Sequence, residues 1–105
     1  MPQVIITQRA ATGLTRYRKL LTNKNPLAAI TAGQVLEAHF EQLENNPEMG
    51  RPFTELPVLR ELMIESGDSC YVALYRYEKI EDRVYVLAFA FRKKQDINPR
   101  EFKVL

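Results

Sequence analysis

Three strand-like runs follow one another closely in the second half of this 105-residue chain, and they constrain its fold more than any other feature. The runs cover 58–64, 70–77 and 84–92, and polar turns separate them. Apolar runs bounded by turn residues are typical of antiparallel strands joined by hairpins. The last run is apolar at nearly every position, which predicts a strand inside the sheet with cover on both faces.

The first half of the chain predicts one strand and two helices. Residues 4–7 form a short β-branched run. Apolar residues recur at steps of three and four over about 9–21 and again over about 26–44, which favours amphipathic helices. The stripes are Leu14, Tyr17 and Leu21 in the first helix and Ala32, Leu36, Phe40 and Leu43 in the second. The order β-α-α-β-β-β predicts an α+β fold, with two N-terminal helices on one face of a four-stranded, mostly antiparallel sheet.

Length and composition indicate a single domain over residues 1–105, with 93–105 as a C-terminal tail. Cys70 is the single cysteine, so an internal disulfide is excluded, and no Cys/His spacing favours a metal or another cofactor. The chain opens without the pattern of a signal peptide, and its longest apolar run is far shorter than a membrane span. We therefore expect a cytoplasmic protein with no membrane partner.

The charges are distributed unevenly along the chain. Residues 1–24 hold five cations and no acid, whereas residues 37–68 hold eight acids and two cations. Residues 92–103 are basic again, with five cations and two acids. If the fold brings the two basic ends together, they form one basic face for an anionic partner. The alternative is that they are solvated faces that keep the chain soluble.

Cations also stand in or directly after the predicted strands, at Arg60, Arg76, Arg92, Lys93 and Lys94. Three consecutive cations at a strand exit resist burial, so 92–94 predicts a surface that contacts a partner. The alternative for this run is protection of an apolar strand from aggregation. For Arg60 and Arg76, the alternative to target binding is an ion pair within the domain.

The remaining candidate residues have both a functional and a structural interpretation. His39 is the single histidine and has no partner for a ligand or catalytic role. Four tyrosines, at 71, 75, 77 and 85, fall at alternating positions. They could stack RNA bases, or they could be core residues with a solvated hydroxyl.

Four stretches in the second half, taken in order, resemble the toxins of the RelE/ParE superfamily of type II toxin–antitoxin systems, most closely the ParE-like branch. They are Gly50-Arg51-Pro52, then Leu56 to Glu61, then Tyr71 to Arg76, then the strand end Ala88 to Arg92. The resemblance covers nearly the whole chain, and it implies a cognate antitoxin more acidic than the toxin as a partner.

The RelE-like branch of the superfamily cuts messenger RNA in the ribosome, and most of its site residues have no counterpart here. An arginine of those ribonucleases falls at Val72, a tyrosine falls near Asn98, and a histidine falls at Lys93. Arg92 matches a phosphate-holding position, and Arg60 approximates a position that bears lysine. These departures argue against nuclease chemistry.

ParE-like toxins lack the same residues, and the resemblance to them implies non-catalytic inhibition of DNA gyrase by trapping it on cleaved DNA. It also implies a role in plasmid stabilisation. On this interpretation the chain has no catalytic residue and needs no cofactor. Arg92, Lys93 and Lys94 form the target-binding surface, and Arg60 and Arg76 support it. The alternatives are a ribosome-dependent mRNA endoribonuclease and a non-toxic module that binds only its antitoxin.

Overall fold

The computed structural model describes residues 2–67, 69–93 and 103–104 of the chain. The first three elements are β1 (Gln3–Ile6), α1 (Gln8–Lys24) and α2 (Pro26–Asn45). The strands β2 (Arg51–Pro52), β3 (Arg60–Ser66), β4 (Ser69–Glu78), β5 (Arg83–Lys93) and β6 (Lys103–Val104) follow. None of the helices in these ranges is both long and apolar enough to cross a membrane.

Thr7 fixes the start of α1 to the sheet. Its hydroxyl oxygen accepts a hydrogen bond from the backbone N–H of Ala10 at 3.4 Å, which caps the helix. The same hydroxyl donates to the carbonyl of Val86 in β5 at 2.9 Å, and the Thr7 N–H donates to that carbonyl at 3.0 Å. The first turn of α1 is therefore held against the centre of the sheet.

A single residue, Asn25, both ends α1 and begins α2. Its backbone N–H donates to the carbonyl of Leu21 at 2.7 Å, while its side-chain oxygen accepts from the N–H of Ala28 at 3.2 Å. Pro26 follows at the first helical position, where its missing N–H costs nothing. The first helix was predicted to end at about residue 21, but α1 continues through Lys24 because Asn25 closes it directly.

The strands form one mixed sheet in the order β1-β5-β4-β3-β2, with β6 also paired to β5. β1 runs parallel to β5, and the other pairings among the described strands are antiparallel. The predicted α+β class, the two helices and the mostly antiparallel sheet are confirmed. β5 lies between β1 and β4, as its apolar sequence predicted.

The prediction of four strands was wrong in number, because the sheet has two further strands of two residues each. Arg51–Pro52 lies between the second predicted helix and the 58–64 run, where no strand was predicted, and it pairs with the start of β3. Lys103–Val104 lies in the predicted tail and pairs with β5. Two residues carry no apolar alternation, so periodicity cannot reveal strands of this length.

One hydrophobic core joins the helices to the sheet, with α1 packed against β5 and α2 against β3 and β1. Its buried residues are Ala10, Ala32, Leu36, Leu43, Leu62, Ile64, Tyr71, Ala73, Tyr75, Val84, Val86 and Phe89. Leu14, Tyr17, Leu21 and Phe40 pack partly buried against it. The predicted apolar stripes of both helices therefore face the core.

A β-bulge explains why β5 is apolar at consecutive positions. The pairing of β5 with β4 skips Leu87. Buried side chains stand at Val84 and Val86 before the bulge and at Phe89 after it. An additional residue exchanges the two faces of a strand, because side chains alternate with a period of two. The inward set therefore moves from even to odd positions.

Candidate functional site

The backbone separates four of the five predicted target-binding cations into two groups. Arg60 and Arg76 lie at the start of β3 and near the end of β4, which are adjacent in the sheet. Arg92 and Lys93 end β5, opposite the start of β4, about 17 Å away at 3.4 Å per residue. The side chains of Arg92 and Lys93 and the whole of Lys94 lie outside the described residues. Target binding by these residues stays a prediction.

Gly50 anchors the loop before β2 to the core. Its N–H donates to the hydroxyl oxygen of buried Tyr75 at 2.8 Å. A Cβ at position 50 would lie 2.7 Å from the Tyr75 ring and 2.8 Å from the carbonyl oxygen of Glu61. Real Cβ atoms do not approach other atoms so closely, so glycine is required for contact with Tyr75. This contact aligns Arg51–Pro52 for pairing with β3.

Arg60 completes the anchor from the other side. Its Nη1 donates to the carbonyl of Gly50 at 2.7 Å and to the carbonyl of Glu48 at 3.1 Å. Its Nη2 lies 3.5 Å from the Glu48 carboxylate, and a quarter of the side chain is exposed. Hydrogen bonds from a charged donor are stronger than neutral ones. The guanidinium of Arg60 therefore holds the loop and forms an ion pair within the domain, and target binding by Arg60 stays a prediction.

The environment of Tyr75 follows from this arrangement. Burial raises the pKa of the Tyr75 hydroxyl, because the phenolate would lose its hydration. The Gly50 N–H and the Arg60 charge lower it in part, and Glu48 raises it. Tyr75 is thus held in its neutral form as a hydrogen-bond acceptor for the loop, which is a structural role.

Arg76 lies in an open groove of about 410 Å³ between the start of β3 and the turn that joins β4 to β5. Its Nη2 pairs with the Glu78 carboxylate at 3.1 Å, and half of its side chain is exposed. Two exposed apolar residues, Val58 and Ile80, stand beside it in the groove lining. Lys79 reaches Glu48 at 3.4 Å. Each cation of this groove therefore has an acid partner within the domain, and Arg60 and Lys79 share one.

The cations of α1 differ from those of the groove in their ion pairing. They are Arg9, Arg16, Arg18, Lys19 and Lys24, and all five side chains are exposed. The ion pairs found among residues 2–67 and 69–93 all lie on the sheet and its connections, and none includes a cation of α1. The proposed meeting of the two basic ends stays a prediction, because most of 92–103 lies outside the described residues.

The single histidine contacts its own helix, and the single cysteine is buried. The Nδ1 of His39 lies 2.8 Å from the carbonyl of Val35, one turn back in α2. Cys70 is 3% exposed at the start of β4, where it packs as a small apolar residue. No group of His, Cys, Asp and Glu able to hold a metal occurs in the part of the chain that the structure describes.

The four alternating tyrosines divide between core and rim. Tyr71 and Tyr75 are 1% and 0% exposed, so both are core residues as predicted, but their hydroxyls are buried rather than solvated. Burial raises the pKa of Tyr71 strongly, and its neighbour Tyr17 raises it further. The hydroxyls of Tyr77 and Tyr85 donate to acids of the β4–β5 turn at 2.9 and 2.6 Å. Stacking of bases is thereby excluded for the two buried rings.

Sequence reasoning missed the roles of Gly50, Glu48 and Tyr75 in holding the loop. The sequence drew attention to Gly50 only through the resemblance, whereas in the structure its N–H contacts a buried tyrosine. The available signal was a glycine directly before Arg51 and Pro52. Close approach of backbone to a ring is one of the reasons for glycine at such a position.

Comparison with known proteins agrees with this architecture. Residues 4–95 match the family described as the ParE toxin of the type II toxin–antitoxin system parDE. Toxin RelE1 of Caulobacter vibrioides is 36% identical over 73 residues, which is 70% of this chain and 76% of that protein. Toxin RelE3 of the same bacterium is 34% identical over 76 residues, 72% of this chain and 80% of its own length. The chain therefore belongs to the RelE/ParE superfamily, as a toxin of the type II toxin–antitoxin class.

Proposed function

We propose that this chain is a ParE-like toxin that inhibits DNA gyrase by binding it in the cytoplasm, without catalysis. The observation that carries the proposal is the match of residues 4–95 to the ParE toxin family. A role in plasmid stabilisation belongs to the same proposal.

The state of the described cations supports binding rather than nuclease chemistry. Arg60 approximates a cation position of the ribonuclease branch, but its guanidinium is occupied by Gly50 and Glu48. Arg76 is paired with Glu78. A ribonuclease needs cations free to hold the scissile phosphate and a group that transfers protons to and from the reacting oxygens. Neither arginine is free for that task.

The target-binding surface in this proposal is the basic exit of β5, with Arg92, Lys93 and Lys94. Arg60 and Arg76 are supporting target-binding residues in this proposal, and both also form ion pairs within the domain. A cognate antitoxin is the expected second partner. A segment more acidic than the toxin would neutralise the basic regions of the chain on binding.

The second candidate function is RelE-like cleavage of messenger RNA on the ribosome. Both curated relatives carry the name RelE, and this favours the candidate. Arg92, which matches a phosphate-holding position, would be central to such chemistry.

One experiment separates the two functions. The chain is induced in bacteria while DNA synthesis and protein synthesis are pulse-labelled in parallel. Gyrase inhibition predicts that DNA synthesis fails first, together with DNA-damage induction and cleaved-DNA complexes in a purified gyrase assay. Earlier collapse of protein synthesis, with message cleavage in a translating extract, would overturn the gyrase proposal. Normal growth would indicate a module that only binds its antitoxin.

Two variants of equal charge change locate the surface. One neutralises the strand exit, as Arg92→Gln/Lys93→Gln/Lys94→Gln. The matched control neutralises three ion-paired cations of the sheet, as Arg51→Gln/Lys79→Gln/Arg83→Gln. We expect the first variant to lose toxicity and the control to keep it. A folded strand-exit variant with full toxicity would contradict the assignment of the surface.

A further inference from the structure

A row of polar and basic residues runs along the exposed side of α1. The basic row consists of Arg9, Thr12, Arg16, Lys19 and Asn23, and each of its side chains is exposed. Its members follow one another at alternate steps of three and four residues, so they share one face of the helix. With a rise of 1.5 Å per residue, about 15 Å separates the first cation from the last.

Helix stability does not explain the basic row. Arg9 lies in the first turn, where the positive end of the helix dipole disfavours a cation, and no acid is present there to offset it. Arg16 and Lys19 are three residues apart, a spacing at which like charges repel. None of the three has a carboxylate partner within the described residues. The row therefore carries an unfavourable charge arrangement that an external anion would relieve.

The chemistry of the row suits phosphate groups. Arginine and lysine, with threonine and asparagine between them, are the side chains that contact phosphate oxygens in complexes with nucleic acids. Two open depressions, of about 320 and 350 Å³, lie along the row. Arg9, Thr12 and Arg16 line the first, and Thr12, Arg16 and Lys19 line the second. Each depression thus combines cations with a hydroxyl donor.

We propose that the basic row of α1 binds the phosphate backbone of duplex DNA. An acidic protein segment is the less suitable occupant, because stable protein interfaces need a buried apolar centre and the row has no apolar member. Of the exposed apolar residues of the helical hairpin, Leu27 and Ile30 belong to α2, and Leu20 of α1 follows Arg16 by four residues and borders the row. One apolar side chain at the border does not form the buried centre of a protein interface.

Single strands are also disfavoured as the occupant. Proteins hold single strands by stacking bases on exposed aromatic rings. The aromatic residue of α1, Tyr17, instead packs inward. The centre of its ring lies 4.5 Å from that of Phe91 and 5.8 Å from that of Tyr71. Duplex RNA has a deep and narrow major groove, whereas the major groove of DNA is wide enough for a helix. These differences commit the proposal to duplex DNA.

The inference does not rest on gyrase inhibition, because a chain that leaves gyrase unaffected could still bind DNA through α1. The test is fluorescence anisotropy with a labelled 20-base-pair DNA duplex, using the full chain made in a cell-free system. The row variant is Arg9→Gln/Arg16→Gln/Lys19→Gln, since glutamine keeps a similar helix propensity. The control is the sheet variant Arg51→Gln/Lys79→Gln/Arg83→Gln, which loses the same charge.

We expect the row variant to bind roughly 500-fold more weakly at 0.1 M salt, and its salt dependence to fall by about 2.7 in log–log slope, for three lost phosphate contacts. The control should lose less than about threefold, and circular dichroism should show both variants folded. Equal losses in both variants, or no duplex binding at 50 mM salt, would overturn the proposal. Tighter binding of duplex RNA, single-stranded DNA or a Glu-rich peptide would overturn the choice of occupant.

Discussion

Two regions of the chain carry candidate binding cations, and they differ in whether those cations have acid partners within the protein. At the end of the sheet, Arg60 and Lys79 share Glu48, and Arg76 has Glu78. On α1 the cations have no carboxylate within reach in the described residues. Charge counts along the sequence show the same contrast, because 1–24 holds five cations and no acid, whereas 37–68, which includes Arg60, holds eight acids and two cations. The difference teaches that the acids placed beside a cation, and not the cation alone, decide which surface is available to a partner.

The largest effect should come from breaking the anchor of the sheet-end region. In Gly50→Ala the new Cβ would clash with Tyr75 and with the carbonyl of Glu61. We expect the free energy of unfolding to fall by about 3 kcal/mol in urea denaturation. Gly33→Ala is the matched control, since a Cβ there meets nothing within 4 Å in a helix. That control should stabilise the chain by up to about 1 kcal/mol. Equal effects at both positions would contradict the anchor.

The next largest effect compares how much Arg60 and Arg76 each contribute to the free energy of unfolding. Arg60→Met removes the charged donor to two backbone carbonyls, so we expect a loss of about 2 kcal/mol in unfolding free energy. Arg76→Met removes one exposed ion pair and should change stability by less than about 0.5 kcal/mol. Similar losses in the two variants would show that Arg60 holds the loop no more firmly than a surface pair does.

The pH dependence of the free energy of unfolding tests the burial of Tyr71 and Tyr75. Burial raises the pKa of Tyr71 and Tyr75 above the ordinary value of 10.0. Above pH 10 the unfolded chain therefore loses protons that the folded chain keeps, and stability falls as pH rises. Each tyrosine contributes up to about 1.4 kcal/mol per pH unit. Urea denaturation at pH 9, 10 and 11 measures the fall, and Tyr71→Phe should reduce its slope. Constant stability up to pH 11 would contradict the burial of these hydroxyls.

The smallest expected effect is the difference in stability between variants that remove cations from the sheet and from α1. The sheet variant Arg51→Gln/Lys79→Gln/Arg83→Gln removes favourable ion pairs and should lose up to about 1 kcal/mol of stability. The row variant Arg9→Gln/Arg16→Gln/Lys19→Gln removes repulsion and should gain about 0.5 kcal/mol. Added salt should reduce both changes. Thermal unfolding at low and high salt measures them, and a loss in the row variant would mean that α1 has internal partners.

Much of the fold could be predicted because long periodic elements dominate it. The stripes of both helices and the apolar character of β5 indicated their places correctly. The two-residue strands could not be predicted, because their pairing depends on contacts distant in sequence. Arg51–Pro52 is aligned by Gly50 against Tyr75, a contact across 25 residues. Periodicity within one segment carries no information about such contacts.

The candidate site was less predictable than the fold for a related reason. Sequence patterning identified Arg60, Arg76 and Arg92 as exposed cations at strand ends, and the order of strands supported one surface. Strand register instead separates Arg60 and Arg76 from Arg92 along β4. The state of each side chain depends on where acids such as Glu48 come to lie. That placement is a property of the folded chain.

The position of Asn25 between α1 and α2 has a consequence for the local unfolding of the two helices. One residue closes α1 through its N–H and opens α2 through its side chain, so no spare backbone separates the two helices. Fraying at the end of α1 therefore removes the cap of α2 at the same moment. We expect the amide protons of 21–25 and 27–28 to exchange with solvent at one shared rate in hydrogen-exchange measurements, as a single cooperative unit rather than as two helix ends.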